Sequence, residues 1–164
     1  SRGLGDVYKR QINIAIIDGE ADLDKIVSVP FYKDEIYVIS SNHSDLKNKP
    51  VLDHDDLKGK KFVLGYLGEQ SMKNLHSYLR DTNIPIDIKY ICKNKDMVLN
   101  IVKSSDAISF GAKSSFNDDD IIMHRVKDLD ISRDYNLVYH KETYLKKNLK
   151  DFVQFIKNKF KEKN

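Results

Sequence analysis

The sequence has little of several residues on which common protein chemistries depend. It contains a single cysteine, Cys92, together with three prolines and seven glycines. One cysteine cannot form an intrachain disulfide and gives no basis for a cysteine-ligated zinc site. No apolar run approaches the roughly 20 residues that a membrane-spanning helix requires, so a membrane span is excluded.

Motifs of the familiar catalytic classes are also missing. The chain has no Gly-x-x-x-x-Gly-Lys phosphate loop, no Gly-x-Ser-x-Gly nucleophile elbow and no complete Gly-x-Gly-x-x-Gly after a strand. Most of its histidines are scattered, without a carboxylate or nucleophile at a spacing typical of catalysis. We therefore predict no catalytic residue and no cofactor.

Two acidic clusters are candidates for a metal site. Asp53-His54-Asp55-Asp56 contains a His-Asp pair like that of metal phosphohydrolases, but partner ligands at a suitable spacing are not evident. Asp118-Asp119-Asp120 would need backbone oxygens and a glycine-bearing loop to hold a hard cation. Helix capping and a solvated turn explain these clusters better, and we predict no metal site.

A marked excess of one charge occurs only near the C-terminus. The 28 basic and 25 acidic side chains give a net charge of +3. Residues 145–164 hold seven lysines against two acids, whereas a nucleic-acid surface gathers cations over a groove-shaped face. We expect these lysines to coat the solvent side of one terminal helix. With 40% hydrophobic and 32% charged residues, the composition is that of one globular domain.

Apolar periodicity predicts alternating strands and helices. Strands are predicted in the runs 11–18, 31–41, 61–65, 86–92, 107–110, 121–126 and 135–140, and helices at 53–57, at 70–81, after Asn94 and near the C-terminus. Crossover connections between successive strands are right-handed and give a parallel sheet with helices on its faces. The sequence therefore predicts an α/β fold.

The predicted strands also imply that the chain passes twice between two lobes. It leaves the first lobe near Ser41 and returns near Val126. Two such connections form a hinge beside a cleft. We assign residues 12–41 and 126–164 to the first lobe and residues 42–125 to the second.

Five stretches of sequence carry a resemblance to a known family. They are Gln11-Ile12-Asn13-Ile14-Ala15-Ile16-Ile17-Asp18-Gly19-Glu20, Phe31 to His43, Leu57-Lys58-Gly59-Lys60-Lys61-Phe62-Val63-Leu64, Ile101 to Phe110, and Tyr135 to Lys141 followed by an amphipathic helix. In order and spacing they resemble the effector-binding domain of LysR-type transcriptional regulators, beginning about one third of the way into that domain. The resemblance implies a two-lobed, type 2 periplasmic-binding-protein-like fold, with parallel sheets flanked by helices and an incomplete first lobe.

The chain departs from the family pattern in its turns. Ser44 stands where the family usually has proline after the histidine of a turn. Ser105, Asp106, Ala107 and Ala112 stand where glycines and a proline are common. Strand and turn chemistry tolerates these substitutions, but they affect the backbone path at the rim of the cleft.

The start of the chain carries a separate expectation. Residues 1–11 lack helical and strand periodicity and the apolar segment of a signal peptide, and we expect them to be non-native or disordered. In the family, two strands and two helices precede the position of Ile12. Without them a sheet edge and one face of the closing helix would be exposed, so the isolated chain is expected to fold poorly or to associate through that edge.

The resemblance implies a sensor rather than an enzyme. The intact regulator would carry an N-terminal winged helix-turn-helix that binds promoter DNA, act in the cytoplasm and form a homodimer or homotetramer. A small-molecule effector, an organic anion or an amino-acid derivative, would close the cleft and shift the equilibrium between assemblies. Two alternatives stay open: a periplasmic-type solute-binding protein, and an enzyme on the same scaffold. The enzyme ranks last because the Thr-Arg-Phe motif of prephenate dehydratase-like domains is absent.

The predicted effector site begins at the strand-to-helix turn Gly68-Glu69-Gln70-Ser71. Free backbone N–H groups and the positive end of the helix dipole favour a carboxylate or phosphate there. The Ser71 hydroxyl and the Gln70 amide would add partners, and the matching turn of the family faces the effector. An ordinary capped helix start is the alternative. Glu69 would repel an anion, so it either points away or selects a ligand with an amino group.

Two further pairs of residues complete the predicted site. Asp18 and Gly19 end the first strand, and ligands of open parallel sheets gather outside the carboxyl ends of strands. A plain surface turn is the alternative for this pair. Phe110 and Gly111 hold the equivalent position in the second lobe, with Phe110 as an apolar wall of the site. Core packing is the favoured role of Phe110.

Overall fold

The computed structural model describes residues 2–10, 12–19, 21–143 and 147–161. Within them the α-helices are α1 (Arg2–Tyr8), α2 (His54–Leu57), α3 (Glu69–Asp81), α4 (Lys95–Ser104) and α5 (Lys147–Lys161), and a short 3₁₀ helix covers Lys113–Ser115. The strands are β1 (Ile14–Asp18), β2 (Ile26–Ser41), β3 (Val51–Leu52), β4 (Lys61–Gly65), β5 (Asp87–Cys92), β6 (Ser109–Ala112), β7 (Ile121–Val126) and β8 (Ser132–His140). The α/β class predicted from the sequence is confirmed.

The chain divides into two compact units. The first contains residues 1–33 and 133–164, and the second contains residues 34–132. The divisions fall inside β2 and β8, and not at the predicted positions near Ser41 and Val126. The reason is that the last residues of β2 pair with β6 and β7, and the Ile36 N–H donates a hydrogen bond to the Ile131 carbonyl at 2.8 Å. These segments therefore belong to the second unit.

The first unit is built on the strand order β1-β8-β2. Strand β1 runs antiparallel to β8, from Ile14 opposite Tyr139 to Asp18 opposite Tyr135. The sequence predicted a parallel sheet, but β1 is antiparallel to its neighbour, and Ile16 is exposed. The neighbour of β1 is β8 and not the next strand in the sequence, so the direction of the pairing is set by a segment distant in sequence.

Residues 2–10 of the first unit are ordered. Helix α1 buries Val7 in a hydrophobic cluster that includes Ile17. The expectation of disorder is therefore wrong for these residues, because an apolar side chain of α1 packs against β1. The alternative that the segment is non-native stays a prediction. Ser1 and Gln11 lie outside the described residues.

The second unit combines parallel and antiparallel pairing. Strand β2 is antiparallel to β6 and β7, whereas β3 is parallel to β7 and β4 is parallel to β5. A parallel bridge joins Phe62 of β4 to Ile108, just before β6. The sheets are therefore mixed, whereas the sequence predicted wholly parallel sheets. Crossover helices α3 and α4 give parallel neighbours, whereas β2 enters from the first unit as a continuous strand.

The helices bury one face each. Leu75 of α3 and Val98 of α4 are buried. Met97 of α4 and Phe152 of α5 are apolar but exposed, because each lies beside a more deeply buried neighbour on a narrow apolar face. Among the residues that the structure describes, no helix has both the length and the apolarity to cross a bilayer.

Candidate functional site

The turn between β4 and α3 leaves the start of the helix open. Strand β4 is buried at its centre and ends at Gly65. Gly68 adopts a φ of +95°, in the left-handed region that favours glycine, and α3 begins at the next residue. Because Gly68 has no side chain, it forms no side-chain cap on α3. The N–H groups of the first turn therefore remain available to water or a ligand.

The other two α-helices of the second unit, whose residues 34–132 are all described, have side-chain caps. Asp53 accepts hydrogen bonds from the N–H groups of Asp55 and Asp56 at the start of α2. Asn94 accepts one from the Asp96 N–H at the start of α4. Among these three α-helices, α3 is therefore the one whose first N–H groups have no side-chain cap. Uncapped N–H groups at a helix start can bind an anion.

The side chains of the first turn of α3 already have partners. Ser71 is buried, and its hydroxyl donates a hydrogen bond to the Ser132 carbonyl at 3.0 Å. Gln70 is exposed, and its amide donates to Asn74 Oδ1 at 3.0 Å. Neither side chain caps the helix, so the alternative of an ordinary capped start is wrong. Ser71 ties α3 to the start of β8, whereas Gln70 lies on the surface.

Glu69 is turned toward a cation one turn further along α3. Lys73 Nζ donates to Glu69 Oε1 at 2.9 Å. This hydrogen bond and the charge of Lys73 lower the pKa of Glu69 from its usual value. Glu69 is therefore ionised at neutral pH, but the charge of Lys73 weakens the repulsion that it exerts on an anion.

Asp18 and Gly19 form a turn that is bonded to β8. Gly19 has a φ of +87°, and its N–H donates to the Asp134 carbonyl at 2.8 Å. The side-chain amide of Asn136 donates to the Gly19 carbonyl at 2.9 Å. Arg133 Nε and Nη2 each donate to Oδ2 of Asp18 at 3.2 Å. This turn thus places a carboxylate beside a guanidinium.

Arg133 is not among the predicted site residues. The strand predicted from periodicity starts at Tyr135, so Arg133 fell outside every predicted element. In the structure both residues belong to β8. Residues two apart in a strand share a face. An arginine two positions before a tyrosine was therefore the sequence signal from which Arg133 could have been predicted.

Phe110 and Gly111 take part in packing. Phe110 is 1% exposed and stacks on Phe62, with ring centroids 5.3 Å apart and an interplanar angle of 17°. A Cβ added to Gly111 would lie 2.1 Å from a ring carbon of Phe116. Both positions are explained by packing, the favoured role for Phe110, and ligand contact by either residue stays a prediction.

The predicted site residues are divided between the two units. Gly68–Ser71, Phe110 and Gly111 belong to the second unit, and Leu67 shares a hydrophobic cluster with Phe110. The start of α3 is therefore connected to the core that contains Phe110. Asp18 and Gly19 belong to the first unit.

The acidic clusters have structural partners. In Asp53–Asp56 the first residue caps α2, and the last two are paired with lysines. Lys103 lies 3.0 Å from Asp118 and 3.3 Å from Asp120. In the part of the chain that the structure describes, no group of three or more histidine, cysteine, aspartate or glutamate side chains could hold a metal ion.

Comparison with known families decides the classification. The model of the LysR substrate binding domain matches residues 2–161. The chain belongs to this family. The resemblance inferred from five stretches of sequence is thereby confirmed for this LysR substrate binding domain. No curated protein matches the sequence.

Solved structures of LysR-family regulators share the fold. The CcmR regulatory domain of Synechocystis PCC6803, in complex with 2-PG, is 10% identical with a TM-score of 0.77, over 96% of this LysR domain and 78% of that regulatory domain. The effector binding domain of QuiR, in complex with shikimate, is 16% identical with a TM-score of 0.73, over 97% of this domain and 77% of the QuiR domain. HinK of Pseudomonas aeruginosa is 14% identical with a TM-score of 0.80, over 97% of this domain and 56% of HinK. At these identities the likeness establishes the fold.

Proposed function

We propose that this LysR substrate binding domain senses a small-molecule effector for a transcriptional regulator. The observation that carries the proposal is the start of α3, where helix N–H groups have no side-chain cap. The family supports the same function, because its model describes a substrate binding domain. The structures of CcmR and QuiR, which have the same fold, contain 2-PG and shikimate.

A carboxylate or phosphate suits the start of α3. The N–H groups of the first turn and the helix dipole supply positive partial charge, which stabilises an anion by about 0.3–1 kcal/mol at an exposed site. We propose an organic anion or an amino-acid derivative as the effector, bound by Gly68, Glu69, Gln70 and Ser71 through the first turn of α3. In the first unit, Asp18 and Gly19 are proposed separately as ligand-binding residues.

Sensing requires that the effector bind two conformations of the regulator unequally, because equal affinities shift no equilibrium. For the intact regulator we propose promoter binding through a winged helix-turn-helix, assembly as a homodimer or homotetramer, and action in the cytoplasm. The domain itself would bind the effector without transforming it.

Thermal unfolding with a panel of organic acids and amino-acid derivatives tests the proposal. An effector present at about 100 times its dissociation constant stabilises the folded state by about 2.7 kcal/mol. At least one compound of the panel should therefore raise the melting temperature. Stabilisation by none of them would overturn the proposed function.

A matched pair of variants tests the position of the site. Gln70→Ala and Asn74→Ala both remove the Gln70–Asn74 hydrogen bond, but only Gln70→Ala removes an amide from the first turn of α3. One hydrogen bond contributes about 1 kcal/mol, so calorimetry should show about fivefold weaker effector binding by Gln70→Ala. Binding by Asn74→Ala should be unchanged. Equal affinities for the two variants would remove Gln70 from the site.

A further inference from the structure

An ion pair in the first unit has hydrogen-bonding capacity that its own contacts do not use. Arg133 Nε and Nη2 both donate to Oδ2 of Asp18. Within the described residues, Arg133 Nη1 and Asp18 Oδ1 form no hydrogen bond. Each side chain is 23% exposed, so the pair is held in place and is still reached by solvent. A ligand can therefore engage both members.

The guanidinium of Arg133 lies over an aromatic ring. Its central carbon lies 5.2 Å from the centre of the Tyr135 ring. Tyr135 stacks on Tyr32, with centroids 6.0 Å apart and an interplanar angle of 25°, and Tyr32 contacts Phe160 of α5 at 5.4 Å. A donor fork that is already oriented loses less conformational entropy on binding than a mobile one.

The backbone fixes the carboxylate. Asp18 lies directly opposite Tyr135 in the β1–β8 pairing. Both backbone groups of the next residue, Gly19, are bonded to β8 residues. Asp18 and Arg133 therefore present opposite charges side by side from two paired strands.

A ligand that carries both charges suits this pair best. A carboxylate alone would gain donors from Arg133 but would meet the negative charge of Asp18, and an amine alone would meet Arg133. An α-amino acid carries its carboxylate and its ammonium group on one carbon, about 3 Å apart, which is the order of the Asp18–Arg133 separation of 3.2 Å. Each group of the ligand then meets the opposite charge.

We propose that Arg133 and Asp18 bind the α-carboxylate and the α-ammonium group of an amino-acid effector. The guanidinium donates to the carboxylate, Asp18 accepts hydrogen bonds from the ammonium group, and the Tyr135 ring supports the guanidinium. This inference rests on the proposed effector-sensing function and narrows the class of effector.

An analogue series on the unaltered chain tests the ligand class. Thermal unfolding is measured with the standard L-amino acids, and each stabilising amino acid is compared by calorimetry with its deaminated acid and its decarboxylated amine. For L-phenylalanine these controls are 3-phenylpropionate and 2-phenylethylamine. At least one amino acid should bind about tenfold or more tightly than both of its analogues, because each analogue leaves one member of the pair without an opposite charge.

Two variants test the residues. Arg133→Lys keeps the charge but loses the planar fork, and it should weaken amino-acid binding about tenfold or more. Asp18→Asn removes the negative charge at nearly constant shape, so the preference for the amino acid over its deaminated acid should fall to about threefold or less. Arg80→Lys is the matched control, because Arg80 lies in the second unit with a side chain that is 74% exposed. The affinity of this variant for the amino acid should be unchanged.

The outcomes separate this inference from the proposed function. If acids without an amino group stabilise the chain as strongly as amino acids do, the inference is wrong and effector sensing stands. If no compound of either class binds, the proposed function is overturned as well. If an amino acid binds but Arg133→Lys and Asp18→Asn both leave its affinity within about twofold, the ligand binds elsewhere and the inference is wrong. A variant that fails to fold leaves the analogue series to decide.

Discussion

Replacing Phe110 with leucine separates core packing from ligand contact. The Phe110 ring is 1% exposed and stacks on Phe62 at a centroid distance of 5.3 Å. An aromatic pair contributes about 0.5–1.5 kcal/mol beyond burial, and the volume left unfilled adds about 24 cal/mol per Å³ of cavity. We therefore expect Phe110→Leu to lower the free energy of unfolding by about 1–2.5 kcal/mol.

Urea denaturation followed by circular dichroism measures this loss as a shift of the midpoint at constant slope. A double-mutant cycle with Phe62→Leu should give a coupling energy of about 0.5–1.5 kcal/mol, because the two rings are in contact. Tyr66→Leu is the aromatic control: Tyr66 is 68% exposed, so its loss should change stability by less than about 0.5 kcal/mol.

Effector affinity decides between the two roles of Phe110. A ring that is 1% exposed has almost no surface to offer a ligand, so Phe110→Leu should leave the affinity of a stabilising effector within about twofold. A stability loss below about 0.5 kcal/mol, combined with about a tenfold loss of affinity, would refute the packing assignment and make Phe110 a wall of the site.

The remaining predictions concern a glycine, a buried histidine and the first turn of α3. Gly111→Ala places a Cβ 2.1 Å from the Phe116 ring, so urea denaturation should show a loss of about 1–3 kcal/mol, and an unchanged midpoint would contradict this overlap. Burial lowers the pKa of His124 from its usual 6.5. Below about pH 6.5 the unfolded chain binds a proton that the folded chain excludes, so stability should fall as the pH drops through about 6.5, and His124→Gln should flatten that slope. Glu69→Gln removes a negative charge beside the proposed anion site, so an anionic effector should bind about two- to fivefold more tightly in low-salt calorimetry, whereas Lys73→Gln should weaken it.

Local signals predicted several elements to the residue. Strands β4 and β7 have the bounds that their apolar runs indicated. Asp53 and Asn94 cap α2 and α4 as their positions before helical periodicity predicted. Each of these features depends on residues a few positions apart, so the sequence contains the complete signal.

Strand pairing depends on distant residues and was only partly predictable. Strand β1 lies antiparallel to β8, where Asp18 bonds to Arg133 across 115 positions of sequence. Periodicity indicates which face of a strand is buried but not which strand lies beside it. The same limit explains the unit boundaries, since the ends of β2 belong to different units according to the strands with which they pair.

The candidate site shows the same division between local and distant signals. The glycine before α3 and the helix start that follows were predictable from the order of residues 65–71. The direction of each side chain was not, because Ser71 is drawn to the Ser132 carbonyl from the distant strand β8. Arg133 was missed for the same reason, since its significance comes from Asp18, which is remote in sequence.

The two candidate anion-binding elements favour ligands of different charge, and this difference allows each to be assigned by mutation. At the start of α3 the charge of Glu69 is matched by Lys73, so helix N–H groups favour a carboxylate or phosphate without requiring an amino group. Arg133 and Asp18 are together neutral, so they favour a zwitterion. A simple organic acid should therefore lose affinity in Gln70→Ala and not in Asp18→Asn. If an amino acid binds more weakly to Asp18→Asn but not to Gln70→Ala, its charged groups bind in the first unit. The chemistry of the ligand, and not fold similarity, is then the criterion that locates the site.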